Sequence, residues 1–159
     1  MDLEGFVALR GGALLRLAWL LTADGEAAQD LVQEALARAV PRWGSIREGG
    51  HEAYVRATIR SVWIDRWRRQ RVRLEALDDL DEPAADQALE GTAERLALGA
   101  ALARLTPRQR AVLVLRFYED QTERETARAL GCSVNTVKSQ TRHALERLRK
   151  LSPELEVTR

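Results

Sequence analysis

The sequence is poor in the residue types that build most catalytic and metal sites. It contains one cysteine, Cys132, and two histidines among 159 residues. A disulfide within the chain is therefore excluded, and without companion ligands that cysteine predicts no zinc site. There is also no Cys/His dyad and no glycine-rich phosphate loop. These absences argue against an enzyme and predict neither a cofactor nor a metal.

Long apolar stretches are also lacking. The first residues, MDLEGFVALRGG, do not combine a basic segment with an uninterrupted apolar run, so a secretory signal is not expected. No segment reaches the roughly 18 apolar residues that a membrane-spanning helix needs. We therefore expect a soluble, cytoplasmic protein without membrane insertion.

Net charge is low, at +1, although 31% of the residues are charged. The charges are segregated along the chain. Residues 54–73 contain several arginines and only one acidic residue, Asp65. The arginines are Arg56, Arg60, Arg66, Arg68, Arg69, Arg71 and Arg73. Residues 74–94 then carry acids and no base. This pattern predicts a segment that binds a polyanion, followed by an acidic linker that contains Pro83 and Gly91.

The apolar pattern predicts an all-α fold of two small helical modules. In the first module, Phe6, Leu9, Ala13 and Leu17 recur at helical spacing, and a second helix runs from about residue 26 to residue 40, where Pro41 ends it. Residues 41–52 read as a loop, and a third helix from about 53 to 71 buries Val55, Ile59, Val62 and Trp63. In the second module, Leu96, Ala100 and Ala103 predict one helical face. Capping boxes are expected at Thr106 with Gln109 and at Thr122 with Glu125.

The segment TERETARALGCSVNTVKSQTRHALERLRK predicts a helix-turn-helix. Gly131 can adopt the positive φ of a helix C-cap, and Ser133 can cap the next helix. Ala127 lies where the two helices are expected to cross closely and a large side chain would clash. Val137 lies where the second helix needs an apolar residue to pack against the first. The second helix displays side chains that hydrogen-bond base edges and phosphates in a major groove. They are Ser133, Asn135, Thr136, Lys138, Ser139 and Arg142.

The helix of residues 26–40 has two contrasting faces. Leu31, Val32, Ala35, Leu36, Ala39 and Val40 form an apolar stripe that we expect to face the core. Asp30, Gln33 and Glu34 are neighbours on the opposite side, where they suit a basic partner helix. An ordinary solvated face explains the same pattern, and spacing alone does not separate the two interpretations.

Three runs resemble the sigma-70 family of transcription initiation factors, and the extracytoplasmic-function (ECF) group in particular. The run LTPRQRAVLVLRFYEDQTERETARALGCSVNTVKSQTRHALERLR resembles region 4, which in the family reads the −35 promoter element and rests on the flap of RNA polymerase. The run ADGEAAQDLVQEALARAV resembles region 2.2, which grips the clamp coiled coil of core polymerase. The run AYVRATIRSVWIDRWRRQR resembles region 2.4, and loop 41–52 occupies the place of region 2.3; these parts unwind the −10 element and hold a flipped base.

The resemblance implies a function and a set of binding residues. It implies an ECF sigma factor that binds core RNA polymerase and promoter DNA and is regulated by an anti-sigma factor. Core polymerase would be bound by Asp30, Leu31, Gln33 and Glu34. Contacts to the −10 element would come from Arg56, Arg60, Ser61, Arg66, Trp67, Arg68 and Arg69, and contacts to the −35 element from the second helix of the turn motif. The implied domains are residues 1–73 (region 2), 74–94 (acidic linker), 95–151 (region 4) and 152–159 (tail).

Some positions depart from the family pattern. Ser61 stands where many ECF factors carry Asn, and Thr126 replaces the usual aliphatic residue. The pair Gln140-Thr141 replaces Arg-Leu, which is similar to the actinobacterial SigE-like subgroup. Trp43 and Trp63 are expected to pack in the core, whereas Trp67 suits either packing or base stacking. A response regulator of the LuxR type, or another DNA-binding regulator that never replaces a sigma subunit, would share the helix-turn-helix but not the first module.

Overall fold

The computed structural model describes residues 1–75 and 92–151, and every regular element in those ranges is helical. The all-α prediction is confirmed. The chain divides into two compact units, Met1–Val72 and Arg73–Arg159. The elements are α1 (Leu3–Thr22), α2 (Gly25–Ala39), a 3-10 turn (Val40–Ser45), α3 (His51–Glu75), α4 (Ala93–Ala103), α5 (Pro107–Leu113), a π-helical segment (Val114–Tyr118), α6 (Glu123–Leu130) and α7 (Val134–Leu151). Most of the predicted acidic linker, residues 76–91, lies outside the described residues, as does the tail 152–159.

Short polar side chains fix the helix starts in the first unit. The Asp2 carboxylate accepts a hydrogen bond from the backbone N–H of Gly5 at 3.0 Å and so caps α1. Helix α1 ends at Ala23, which has the positive φ of 53° that closes a helix. One residue later, Asp24 accepts from the backbone N–H groups of Glu26 and Ala27 and starts α2. The short connection makes α1 and α2 an antiparallel pair.

The core of the first unit is built from one face of each helix. Leu14, Leu17 and Leu21 of α1 are fully buried, at steps of three and four residues. The prediction that Leu9 shares this face is wrong, because Leu9 is 63% exposed. Leu9 lies five residues before Leu14, which places it about 140° round the helix. Val40 is likewise half-exposed, since α2 gives way to the 3-10 turn at that residue.

Helix α1 corrects a second expectation. By length and composition it is apolar enough to cross a membrane, with a mean hydropathy of 1.3 over an 18-residue window. The expectation that no segment approaches a spanning length is therefore wrong. The core helix of a soluble protein meets the same criterion, and Phe6, Leu14, Leu17 and Leu21 are buried in the first unit. We interpret α1 as such a core helix.

An aromatic cluster holds the turn after α2 against α1. The ring of Trp43 meets Phe6 edge to face, with centroids 5.0 Å apart, and lies 4.5 Å from the ring of His51 at the start of α3. The Trp43 indole N–H donates to the carbonyl oxygen of Met1 at 3.0 Å. Trp43 is therefore a packing residue, as predicted.

A buried cation caps the end of α4, the first helix described after residue 91. Arg110 of α5 is buried and its guanidinium donates to the carbonyl oxygen of Leu102 at 3.1 Å, near the end of α4. Burial lowers the pKa of Arg110 to about 10. The predicted face of α4 is mostly wrong: Leu96 and Ala100 are exposed, and burial is concentrated in the last turn, which includes Ala103.

Candidate functional site

The helix-turn-helix of the second unit is fixed by local hydrogen bonds. Thr122 and Glu125 form the predicted capping box, with each side chain accepting from the other residue's backbone N–H at 3.0 and 2.8 Å. Gly131 closes α6 with a φ of 69°. The Ser133 hydroxyl accepts from the backbone N–H of Thr136 at 3.1 Å and caps α7. These predicted caps are confirmed.

The two helices of the motif meet through small and apolar side chains. Ala127 and Val137 are buried where α6 crosses α7, as the sequence predicts. Thr126 lies in the same core and is fully buried. Among the described residues, its hydroxyl has no hydrogen-bond partner. The substitution of a hydroxyl for an aliphatic side chain therefore leaves a buried polar group unsatisfied.

The opposite face of α7 is polar and accessible. Asn135, Lys138 and Arg142 are exposed, and Ser139 is half-buried. The hydroxyls of Ser133 and Thr136 lie 2.9 Å apart within the cap, so their first role is to start the helix. The cap leaves the N-terminal half of α7 accessible, as is the case for a recognition helix that enters a major groove. Contact between these residues of α7 and DNA stays a prediction.

Two of the four predicted docking residues of α2 are exposed to solvent. Asp30 and Gln33 are exposed on one face. Leu31 is fully buried, so the interpretation that it contacts a partner is wrong. Its place in the apolar stripe decides this, because successive residues of a helix point about 100° apart. Leu31 packs in the core, beneath the exposed side chains of Asp30 and Gln33.

Glu34, the fourth predicted docking residue, is engaged within the chain. One carboxylate oxygen accepts from the guanidinium of Arg38 at 2.7 Å, and the other accepts from Arg66 of α3. The hydrogen bond from Arg66 is the main reason that the pKa of the Glu34 carboxyl lies below its usual 4.5, although partial desolvation opposes it. The charges of Arg66 and Arg38 add to the effect. Sequence reasoning missed this pair because it joins residues 32 positions apart.

The predicted −10 residues of α3 fall into two groups. Ser61, Arg68 and Arg69 are exposed, and Arg66 is exposed but paired with Glu34. Arg56 and Arg60 are half-buried, and Arg56 lies 3.5 Å from the Glu52 carboxylate. The accessible guanidinium groups form a basic track toward the end of α3 that suits a phosphate backbone.

Trp67 belongs to the core of the first unit. It is 6% exposed, and its ring stacks on that of Trp63. The guanidinium of Arg71 lies 5.6 Å from the centre of the Trp67 ring. The prediction that Trp67 contacts the −10 element is therefore wrong: little of the indole is accessible to a base.

A cavity beside the 3-10 turn contains residues that the sequence did not single out. It has a volume of about 470 Å³ and is lined by Arg42, Ser45, Ile46, Arg47, Gly50, Ala53 and Tyr54. Two arginines and one tyrosine offer cationic and aromatic contacts in one open site. The sequence does place two arginines, Arg42 and Arg47, in the loop after Pro41. Only the fold brings Tyr54 of α3 beside them.

Comparisons with known proteins agree with this geometry. The family model "Sigma-70 region 2" matches residues 6–73, and "Sigma-70, region 4" matches residues 95–148. The chain is 40% identical to RNA polymerase sigma-E factor of Streptomyces coelicolor, over 94% of this chain and 85% of that protein. It is 32% identical to the ECF sigma factor SigL of Mycobacterium tuberculosis, over 92% of this chain and 86% of that protein.

A solved structure shares the fold. The sigma factor RpoE from Bartonella quintana, crystallised with the anti-sigma factor NepR, aligns with a TM-score of 0.63 and 24% identity. The alignment covers 96% of this chain and 98% of that one. Sigma factors are initiation factors and not enzymes, in agreement with the absence of catalytic motifs from the sequence. The chain belongs to the sigma-70 family, as an ECF sigma factor that directs promoter-specific initiation of transcription by RNA polymerase.

Proposed function

We propose that the two units divide the work of this sigma factor between two promoter elements. Residues 1–73 bind core RNA polymerase and the −10 element, and residues 95–151 bind the −35 element. The single observation that carries the proposal is the capped helix-turn-helix, whose α7 leaves Asn135, Lys138 and Arg142 accessible on one side. Amide, ammonium and guanidinium groups are the donors that major-groove edges and phosphates accept.

The docking surface for core polymerase is the face of α2 that carries Asp30 and Gln33. Both side chains are exposed, and the buried stripe of Leu31, Val32 and Ala35 holds the helix from behind. A carboxylate and an amide on one face suit a basic helix such as the clamp coiled coil. A second contact, between the region 4 unit and the flap, follows from the family's arrangement.

The −10 surface combines the arginine track of α3 with the cavity beside the 3-10 turn. Arg68 and Arg69 would follow the phosphates of the separated strand. The cavity, with Arg42, Arg47 and Tyr54, has cationic and aromatic groups for an unstacked base. This assignment replaces Trp67 as the aromatic group that faces DNA.

Regulation and location follow the family. Sigma-70 factors are soluble proteins that typically act in the cytoplasm, and we propose the same for this chain. We also propose that an anti-sigma factor controls it. A protein of the same fold was crystallised with one.

The test is the affinity of the purified chain for bacterial core RNA polymerase. The variant Asp30→Ala/Gln33→Ala removes one carboxylate and one amide from the docking face, and we expect it to weaken binding by about tenfold. The matched control, Glu4→Ala/Gln70→Ala, removes the same groups from other exposed positions of the first unit and should bind as the unaltered chain does. Equal affinities for the two variants would remove α2 as the docking helix.

A further inference from the structure

Glu34 connects the two surfaces that are assigned above to different partners. It lies on α2 beside Asp30 and Gln33 of the docking face. Its carboxylate binds Arg66, which lies on α3 among the arginines assigned to the −10 element. Glu34, on the proposed polymerase surface, therefore forms an ion pair within the chain with Arg66, on the proposed DNA surface.

We propose that Glu34 couples polymerase docking to −10 DNA binding by an exchange of ion-pair partners. In the free chain the carboxylate neutralises Arg66. When a basic group of core polymerase binds Glu34, the guanidinium of Arg66 becomes available to a promoter phosphate. The inference rests on the proposed function, and it adds a regulatory role to two residues within that function.

The geometry permits the exchange. The side chains of Arg66 and Glu34 are 41% and 34% exposed, so an incoming cation or phosphate can reach both. Arg38 binds the other carboxylate oxygen at 2.7 Å and lies on the same helix, four residues away. It can therefore hold the Glu34 side chain in place on α2 when Arg66 leaves.

Coupling through a shared ion pair is reciprocal and limited in size. Whatever polymerase binding adds to DNA affinity, DNA binding must add to polymerase affinity. Ion pairs between partly exposed groups are worth little, so the effect is bounded at about fivefold in a dissociation constant. Salt screens such pairs, and the coupling should therefore be largest at low ionic strength.

The experiment is a double-mutant cycle on the affinity of the full chain for core RNA polymerase at low salt. Arg66→Gln releases the one Glu34 carboxylate oxygen that Arg66 binds, so we expect tighter core binding, by up to about fivefold. Arg16→Gln is the control, since it makes the same change in charge at an exposed position of the first unit, on α1. In a Glu34→Gln background, Arg66→Gln should have no effect. Equal effects of Arg66→Gln and Arg16→Gln, or an effect that persists without the Glu34 carboxylate, would overturn the coupling.

The same measurements separate this inference from the proposed function. If the unaltered chain binds core polymerase and Asp30→Ala/Gln33→Ala weakens that binding, the docking role stands. The cycle at Glu34 and Arg66 then decides the coupling by itself. If the unaltered chain does not bind core polymerase, both proposals fail.

Discussion

The indole rings of Trp63 and Trp67 stack on one another, with centroids 5.9 Å apart and planes inclined by 10°. They lie one helical turn apart on α3 and are both nearly buried. This relationship decides between two interpretations that the sequence left open for Trp67. The residue stabilises the end of the core in the first unit rather than offering its face to DNA.

The first prediction follows from that stack. We expect Trp67→Ala to lower the free energy of unfolding by about 3 kcal/mol, because it opens a cavity and removes a ring contact. Arg69→Ala, at an exposed position two residues further along the same helix, should change it by less than about 0.5 kcal/mol. Chemical denaturation followed by circular dichroism measures both. Unchanged stability of the Trp67 variant, together with weaker binding of single-stranded DNA, would restore the stacking role.

The second prediction concerns the buried hydroxyl of Thr126. We expect Thr126→Val to raise the free energy of unfolding by about 1 kcal/mol, because it replaces an unsatisfied buried hydroxyl by a methyl group of similar size. Thr141→Val is the matched control: the Thr141 hydroxyl is half-exposed and donates to the carbonyl oxygen of Val137 at 2.7 Å. It should give no gain. Thermal unfolding compares the two, and equal shifts would contradict the explanation.

The third prediction tests the turn of the helix-turn-helix. Gly131 has a φ of 69°, so we expect Gly131→Ala to cost about 1 kcal/mol of stability and to weaken −35 binding. Gly25→Ala makes the same chemical change at the start of α2, where nothing lies within 4 Å of the added methyl group. It should be neutral or slightly stabilising. A Gly131→Ala chain as stable as the parent would show that another conformation can close α6.

The fourth prediction concerns phosphate contacts on α7. Lys138→Ala and Arg142→Ala should each weaken binding of promoter DNA by the polymerase complex. Each should also reduce the slope of log affinity against log salt concentration by about one, because one phosphate contact is lost. Core polymerase binding should be unchanged in both. Lys150→Ala, near the far end of α7, provides the control. Fluorescence anisotropy across a salt series gives the slopes, and three identical slopes would argue against the proposed −35 surface.

The fifth prediction concerns the pH dependence of the Glu34 pair. The pKa of the folded Glu34 carboxyl is below its usual 4.5, so its ion pairs stabilise the fold above that pH. The stabilisation is lost as the pH falls through the lowered pKa. We therefore expect Glu34→Gln to be less stable than the parent at neutral pH, by less than about 1 kcal/mol, and equally stable in acid. Denaturant unfolding over a pH series measures this, and a pH-independent difference would contradict it.

Local chemistry explains which parts of the second unit could be predicted from the sequence. Thr106, Thr122, Gly131 and Ser133 act on backbone groups within a few residues, so their identity and spacing are enough to place the caps. The all-α class follows in the same way from helical periodicity. The family follows from the resemblance of three runs of residues to regions 2.2, 2.4 and 4. That resemblance depends on residue identities along the chain and not on how the helices pack.

Burial was harder to predict in helices that carry more apolar residues than the core can bury. Helix α1 is apolar around most of its circumference, and the sequence does not say which residues face the other helices. Leu9 is exposed and Leu14 is buried for this reason. The end of α4 shows the same difficulty, because packing favours consecutive residues there over a stripe.

The sequence by itself determined the helical class, the caps of the turn motif, the family and the faces of α2 and α7 that carry polar residues. Only the tertiary structure decided that Trp67 stacks inside the core, that Tyr54 joins Arg42 and Arg47 around a cavity, and that Glu34 binds Arg66. The physical reason is range. Caps and helical faces depend on groups a few residues apart, whereas these contacts depend on how the helices and the turn between them pack together.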